Sequence, residues 1–319
     1  MPETREPRFV QLYSEDSQAL RDDVVAGLRR RQAAIAPKHF YDALGSQLFA
    51  AITQLPEYYP TRTEAAIVAA HGDAIARAVG PGATLVDLGA GDCAKALRLL
   101  PLLRPARYVA VDISIDWLRD ALDRVQRRHP ALDVVGVGAD FSAGLELPVD
   151  ATAGRPVFFY PGSSIGNFAP YEALDFLRRV RERAAGGGLL IGFDLVKPAD
   201  VLERAYDDAL GVTAAFNLNA LRHVNRLIGS DFRAEQWRHR AHYEAPLARI
   251  EMHLEARSDV VVRWPRGARG FAAGERIHTE ISCKYTPEGL SALLHRAGFE
   301  RVQAWMDAQR WFAVVWAQA

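Results

Sequence analysis

Between residues 83 and 196 short apolar runs alternate with amphipathic stretches, and no other feature of the chain restricts its fold as much. TLVDLGAG, RYVAVDIS, LDVVGVGADF, PVFFYPGSS and GLLIGFDLV read as five buried strands. Between them, SIDWLRDALDRVQRRH and YEALDFLRRVRERAA repeat apolar residues every three or four positions, the period of a helix packed on one side. Parallel strands need crossovers, and a helix of this length supplies one, so the pattern predicts a doubly wound α/β sheet. After Val196 the alternation stops. From about 198 to 285 the expected elements are a helix-like ADVLERAYDDAL, a polar segment, and the strand-like ARIEMHLEAR, DVVVRWP and ERIHTEISCKY. TPEGLSALLHRAGF then predicts a helix ending at Gly298, and RVQAWMDAQRWFAVVWAQA two strands joined by a short turn, hence antiparallel. The expected division is an α/β domain of residues 63–197 and 287–319, with an insertion, 198–286, that joins residues 1–62 in a second lobe.

Lys plus Arg and Asp plus Glu both number 39, so no excess of positive charge draws the chain to nucleic acid or an anionic membrane. The N-terminus is acidic and broken by prolines, and no run approaches the roughly 20 apolar residues of a membrane span. The cytoplasm is the compartment expected by default. Without heptads or an evident assembly segment, a monomer is expected. Cys93 and Cys283 are far apart and predict neither a disulfide framework nor a zinc site. Among nine histidines the close pair is His239 and His242, with no carboxylate at ligand spacing beside it, so no metal is expected. Arg29 to Arg31 read as the solvated end of an amphipathic helix.

Asp87-Leu88-Gly89-Ala90-Gly91 ends the first strand, where glycines let a ligand approach the backbone and open the next helix towards it. Asp112, at the end of the second strand, is placed to accept hydrogen bonds from ribose hydroxyls. A glycine turn followed about 20 residues later by an acid also fits a dinucleotide fold, so this motif alone leaves both cofactors open. Three further features favour S-adenosylmethionine: Asp87 before the glycines, Asp140 and Phe141 after the third strand, and the AGF helix end with its closing strand pair. Class I methyltransferases carry the same features.

Over nearly its whole length the chain resembles the ergothioneine-pathway histidine Nα-methyltransferases. HFYDALGSQLFAAITQLPEYYPTRTEAAI, LVDLGAGDCAKALRLL, PGSSIGNFAP, FDLVKPADVLERAYDDALGVTAAFNLNALRHVNR, ARIEMHLEA and GERIHTEISCKYT carry the resemblance. It implies that Gly89, Lys95, Asp112, Asp140, Phe141 and Gly162 line the cofactor site, with Tyr41 reaching over it. It implies that Tyr58, Asn167 and Tyr206 hold the α-carboxylate and α-amine of the amino acid, and that Met252, Glu280 and Ser282 form the side-chain pocket. Glu280 and Ser282 would hydrogen-bond the imidazole. Two departures are small: Cys93 lies in the turn after the glycines, and Ser164 stands where threonine is common.

The implied reaction is trimethylation of the α-amine of free L-histidine, leaving S-adenosylhomocysteine. Methyl transfer needs a neutral amine in line with the methyl group, so placement matters more than strong basicity. Asn167 is expected to orient the amine and Tyr41, or a water, to relay protons, while Tyr41, Phe49 or Tyr58 faces the growing methylammonium. Taken one by one the residues have plainer readings: Glu280 on an alternating strand would face water, Asn167 would serve a turn, and Met252 would be core. The readings kept beside histidine are another aromatic amino acid or an indole amine, a nicotinamide-dependent oxidoreductase, and a non-catalytic binder of S-adenosylmethionine.

Overall fold

The computed structural model describes residues 5–12, 17–113, 115–141 and 144–319. Its strands are β1 (Arg8–Gln11), β2 (Thr84–Leu88), β3 (Arg107–Asp112), β4 (Asp133–Gly138), β5 (Pro156–Tyr160), β6 (Gly188–Asp194), β7 (Trp237–Glu244), β8 (Arg249–Ala256), β9 (Val260–Trp264), β10 (Gly267–Phe271), β11 (Arg276–Cys283), β12 (Arg301–Met306) and β13 (Phe312–Gln318). The helices are α1 (Ser17–Arg29), α2 (Ala43–Ile52), α3 (Tyr59–Val79), α4 (Ala94–Leu103), α5 (Ile115–Arg128), α6 (Pro170–Arg183), α7 (Ala199–Tyr206), α8 (Val212–Ile228) and α9 (Pro287–Arg296).

The chain forms two compact units. One contains Arg62–Leu195 and Tyr285–Ala319 together with β1, and its eight strands run in the order β1-β4-β3-β2-β5-β6-β13-β12. Every pairing from β1 to β6 is parallel, and β13 joins β6 and β12 antiparallel. This is the doubly wound α/β sheet expected from the alternation, closed by the antiparallel β12–β13 pair and with one more strand, β1, at its edge. Successive residues of a strand point to opposite faces, and both faces are buried. Val86, Leu88, Val109 and Val111 pack with Phe176 and Leu177 of α6 and Leu290 and Leu294 of α9. Leu85, Tyr108, Ala110 and Phe159 pack with Ile75 of α3, Leu99 of α4 and Leu122 of α5.

The edge strand β1 departs from the expectation that residues 1–62 belong wholly to the second lobe. Arg8–Gln11 pairs in parallel register with Val135–Gly138. RFVQ is too short to display a period, and its apolar Phe9 and Val10 are only half-buried.

The second unit contains Val196–Lys284 and the described residues from 17 to Thr61. It holds a three-stranded antiparallel sheet, β11-β8-β7, and the β9–β10 hairpin. Several elements here, α2, α8, β7 and β10 among them, lie where the sequence reading placed none. The polar segment after ADVLERAYDDAL is the helix α8, whose buried Asn217 and Asn219 bond through their side-chain nitrogens to His239 and Asp42. WRHRAHYE, too polar to read as a strand, is β7. No helix among the described residues is long and apolar enough to cross a membrane.

Candidate cofactor and substrate sites

In the first unit the chain moves outward from β2 to β3 and β4, then returns to lay β5 on the other side of β2. Ligands of such sheets bind beyond the strand ends at this reversal. The loops leaving β2 and β5 carry the predicted glycines. Gly89 (φ +72°) and Gly91 (φ +53°) take left-handed backbone, and nothing lies within 4 Å of where a Gly91 Cβ would stand. The Gly91 N–H donates to Asp112 Oδ2 at 3.0 Å, which fixes the acid at the mouth of the turn. Phe141 reaches 3.6 Å from the Cβ position of Gly89, its ring held by Tyr160 and Phe176. Asp140 precedes it, half-buried, after β4.

Glu64 of α3, absent from the sequence-based set, ties the first turn of α4 to the loop after β5. Its Oε1 accepts from the Gly162 N–H and its Oε2 pairs with Lys95 Nζ, both at 2.8 Å. Lys95 and Gly162 are therefore brought together by a buried carboxylate that reads in sequence as one more acid on an amphipathic helix. Asp87 lies beneath the turn, fully buried and hydrogen-bonded by Tyr108 Oη at 2.8 Å. Burial pushes its carboxyl up to about 7, against the Tyr108 hydrogen bond and the Lys95 charge. Cys93 caps α4 in left-handed conformation (φ 59°), and burial raises its thiol to about 12.

Asn167 ends the turn Ser164–Asn167 after β5. Ser163 Oγ accepts from the Asp194 N–H at 2.8 Å, and Phe168 stacks on Phe176, so the turn is held on both sides. The open glycine turn, the anchored acid and the aromatic ring fit a nucleoside with a charged amino-acid tail.

In the second unit, Tyr41, Phe49, Tyr58 and Tyr206 form a chain of edge contacts with centroid separations of 5.8, 6.2 and 6.4 Å. Tyr206 Oη is 2.7 Å from Ser282 Oγ. The run thus ends at β11, where Glu280 sits opposite Met252. A bulge sets that pairing: His278 faces His253, Thr279 is the extra residue, and Glu280 rather than Thr279 opposes Met252. The Thr279 hydroxyl donates to the Met252 carbonyl at 3.0 Å. Met252, Glu280 and Ser282 are all buried. Burial pushes Glu280 up to about 7, opposed by the charge of Lys284. Tyr206 is held from behind, since its carbonyl lies 2.8 Å from His239 Nε2, whose Nδ1 meets Asn217 Nδ2 at 2.9 Å.

Of the residues predicted from sequence, Gly89, Lys95, Asp112, Asp140, Phe141, Gly162 and Asn167 lie in the first unit. Tyr41, Tyr58, Tyr206, Met252, Glu280 and Ser282 lie in the second. A further cluster went unforeseen: Glu251, His253 and His278 bring one ligand atom each within 4.8 Å of one another. Arg249 is paired with Glu251, so a guanidinium already neutralises the carboxylate a cation would use.

Residues 20–319 match the model of a family described as histidine-specific methyltransferase, SAM-dependent. Over 299 residues, covering 91% of this chain and 92% of the relative, 42% are identical to a histidine N-alpha-methyltransferase of Mycolicibacterium smegmatis. An ergothioneine biosynthesis protein 1 of Neurospora crassa is 30% identical over 83% of this chain and 31% of its own length. A 4-dimethylallyltryptophan N-methyltransferase of Arthroderma benhamiae is 26% identical, over 92% of this chain and 91% of its own.

Proposed function

Because this chain belongs to the SAM-dependent, histidine-specific methyltransferase family, we propose that it converts free L-histidine to Nα,Nα,Nα-trimethylhistidine, the first step towards ergothioneine. S-adenosylmethionine, when bound, supplies an electrophilic methyl group on sulfur and leaves as S-adenosylhomocysteine. Gly89, Gly91 and Gly162 would admit the cofactor against the backbone, Asp112 would accept from its ribose, and Asp140 and Phe141 would take the adenine. Lys95 would meet the methionine end, steadied by Glu64.

The substrate's head group falls to Tyr58, Asn167 and Tyr206, and its imidazole to Met252, Glu280 and Ser282. Asn167 presents its side-chain oxygen to the amine and turns the lone pair to the methyl group. The proton that each transfer releases leaves through Tyr41 or a water. Charge moves from sulfur to nitrogen, and aromatic faces in the Tyr41–Phe49–Tyr58 run stabilise a methylammonium by about 0.5–2 kcal/mol each. The same reading makes the enzyme a cytoplasmic monomer that acts on a small molecule without a metal ion.

The observation that carries the choice of histidine is the buried Glu280 beside Ser282. A carboxylate taken out of water demands a donor from the ligand, and leaving it unpaired costs at least about 1–3 kcal/mol. An indole offers one donor and no second polar edge, which sets the tryptophan-type substrates of the more distant relative behind histidine. The test is mass spectrometry of the protein with S-adenosylmethionine and an equimolar mixture of the twenty amino acids. Histidine gaining three methyl groups is the expected result; tryptophan gaining them instead would remove the pocket assignment.

A further inference from the structure

Glu280, Ser282 and Lys284 alternate along one strand and the residue after it, and Lys284 plays no part in the chemistry described above. It is buried, an unusual place for a lysine, and its ammonium donates to two hydroxyls. Nζ lies 2.7 Å from Ser282 Oγ and 3.1 Å from Tyr206 Oη, and those two oxygens are 2.7 Å apart. The three atoms close a triangle in which every side is a hydrogen bond.

Donor counting gives this triangle a direction. An ammonium donates and never accepts, so both hydroxyl oxygens receive a proton from Lys284. One further proton must lie between Tyr206 and Ser282. The phenol is the stronger acid and the aliphatic oxygen the better acceptor, so Tyr206 donates to Ser282 and meets the substrate's head group as an acceptor for the amine N–H, the carboxylate falling to Tyr58 and Asn167. Ser282 Oγ then accepts twice, and its single proton is left to point out of the triangle.

We propose that Lys284 is a positioning residue for substrate choice: it makes the Ser282 hydroxyl an outward donor, so that Glu280 and Ser282 together read a neutral imidazole in one tautomer. Glu280 takes the ring N–H, and Ser282 donates to the ring nitrogen that bears no proton. A cationic imidazole, with two donors and no acceptor, matches Glu280 but confronts Ser282 proton to proton. This inference rests on the assignment of the imidazole to Glu280 and Ser282.

The test uses the full chain saturated with S-adenosylhomocysteine and L-histidine labelled with 15N in its ring. In the native protein at pH 7.5 the bound ring should show one protonated and one bare nitrogen, each in a single environment. Lys284→Met should weaken histidine binding about tenfold, raise KM with kcat nearly unchanged, and give mixed or protonated ring signals. Lys284→Arg, which keeps an obligate donor, should preserve the single tautomer. In a Ser282→Ala background Lys284→Met should have little further effect, because its route to the ligand is already cut. An unchanged ring spectrum and affinity in Lys284→Met, or full additivity with Ser282→Ala, would overturn the role of Lys284. If Glu280→Gln and Ser282→Ala themselves leave histidine affinity intact, the pocket assignment fails first and Lys284 with it.

Discussion

Glu280 stands directly across the β8–β11 ladder from Met252, a carboxylate and a thioether buried side by side. Burial raises the Glu280 carboxyl from 4.5 to about 7, the charge of Lys284 only partly opposing it. A group whose pKa is higher in the folded state contributes fully below its unfolded value and loses that contribution as pH rises through the folded one. Glu280 therefore burdens the fold increasingly between about pH 4.5 and 7. Glu280→Gln should gain stability relative to the native chain by up to about 3 kcal/mol on going from pH 5 to pH 8.5. Denaturant unfolding at both values reads the difference, and an equal offset at each would contradict it. The same variant should bind histidine more weakly.

Glu64 holds one segment from each side of the sheet reversal, the first turn of α4 through Lys95 and the loop after β5 through the Gly162 N–H. Glu64→Gln keeps the size of the side chain but removes the charge that pairs Lys95. Its loss should weaken S-adenosylmethionine by about tenfold to a hundredfold, given about 1.5–3 kcal/mol for hydrogen bonds to charged groups. Calorimetric titration with the cofactor and no amino acid checks this, and native affinity would show that the loops hold their shape unaided.

Asp42 caps α2 by accepting from the Gly45 N–H at 2.7 Å and also takes a hydrogen bond from Asn219 at 2.7 Å. Burial pushes its pKa up, yet Gly45, Asn219 and Arg226 together hold it below the usual carboxylate range. A lowered folded pKa means stability present above the unfolded value of 3.8 and lost as pH falls through the folded one. Asp42→Ala should cost about 1–2 kcal/mol at pH 7, the cap accounting for most of it, and less in acid. Urea midpoints at pH 7 and pH 3 measure both parts; equal losses at the two would leave the carboxylate no role.

How far these features could be read in advance depended on whether period or partnership created them. The five central parallel strands are runs of Val, Leu, Ile and Phe buried on both faces, and such runs declare themselves. Helix α8 does not, because Asn217 and Asn219 occupy positions normally apolar and find their partners in His239 and Asp42, distant in sequence. Glu280 shows the limit most sharply. Strict alternation from His278 would place both residues on one face, and the extra Thr279 changes what Glu280 opposes. No local signal announces that bulge, and it was the resemblance of HTEISCKY to a known family that pointed to a buried glutamate. Glu64 was missed for the opposite reason, being ordinary until the loop it supports is in place.

The positions of β1 and β13 bear on the order in which the protein can be made. Strand β1 has no partner until β4 has been synthesised, and the outer edge of β6 waits for β13, which follows the whole of Val196–Lys284. Long-range pairings of this kind form late and leave apolar edges open meanwhile. Throughout the translation of Val196–Lys284 the growing sheet has an unfinished border, which β13 seals. A ribosome that stops short of Phe312 therefore releases not a slightly trimmed enzyme but a sheet with an exposed seam, a natural substrate for chaperones and proteases.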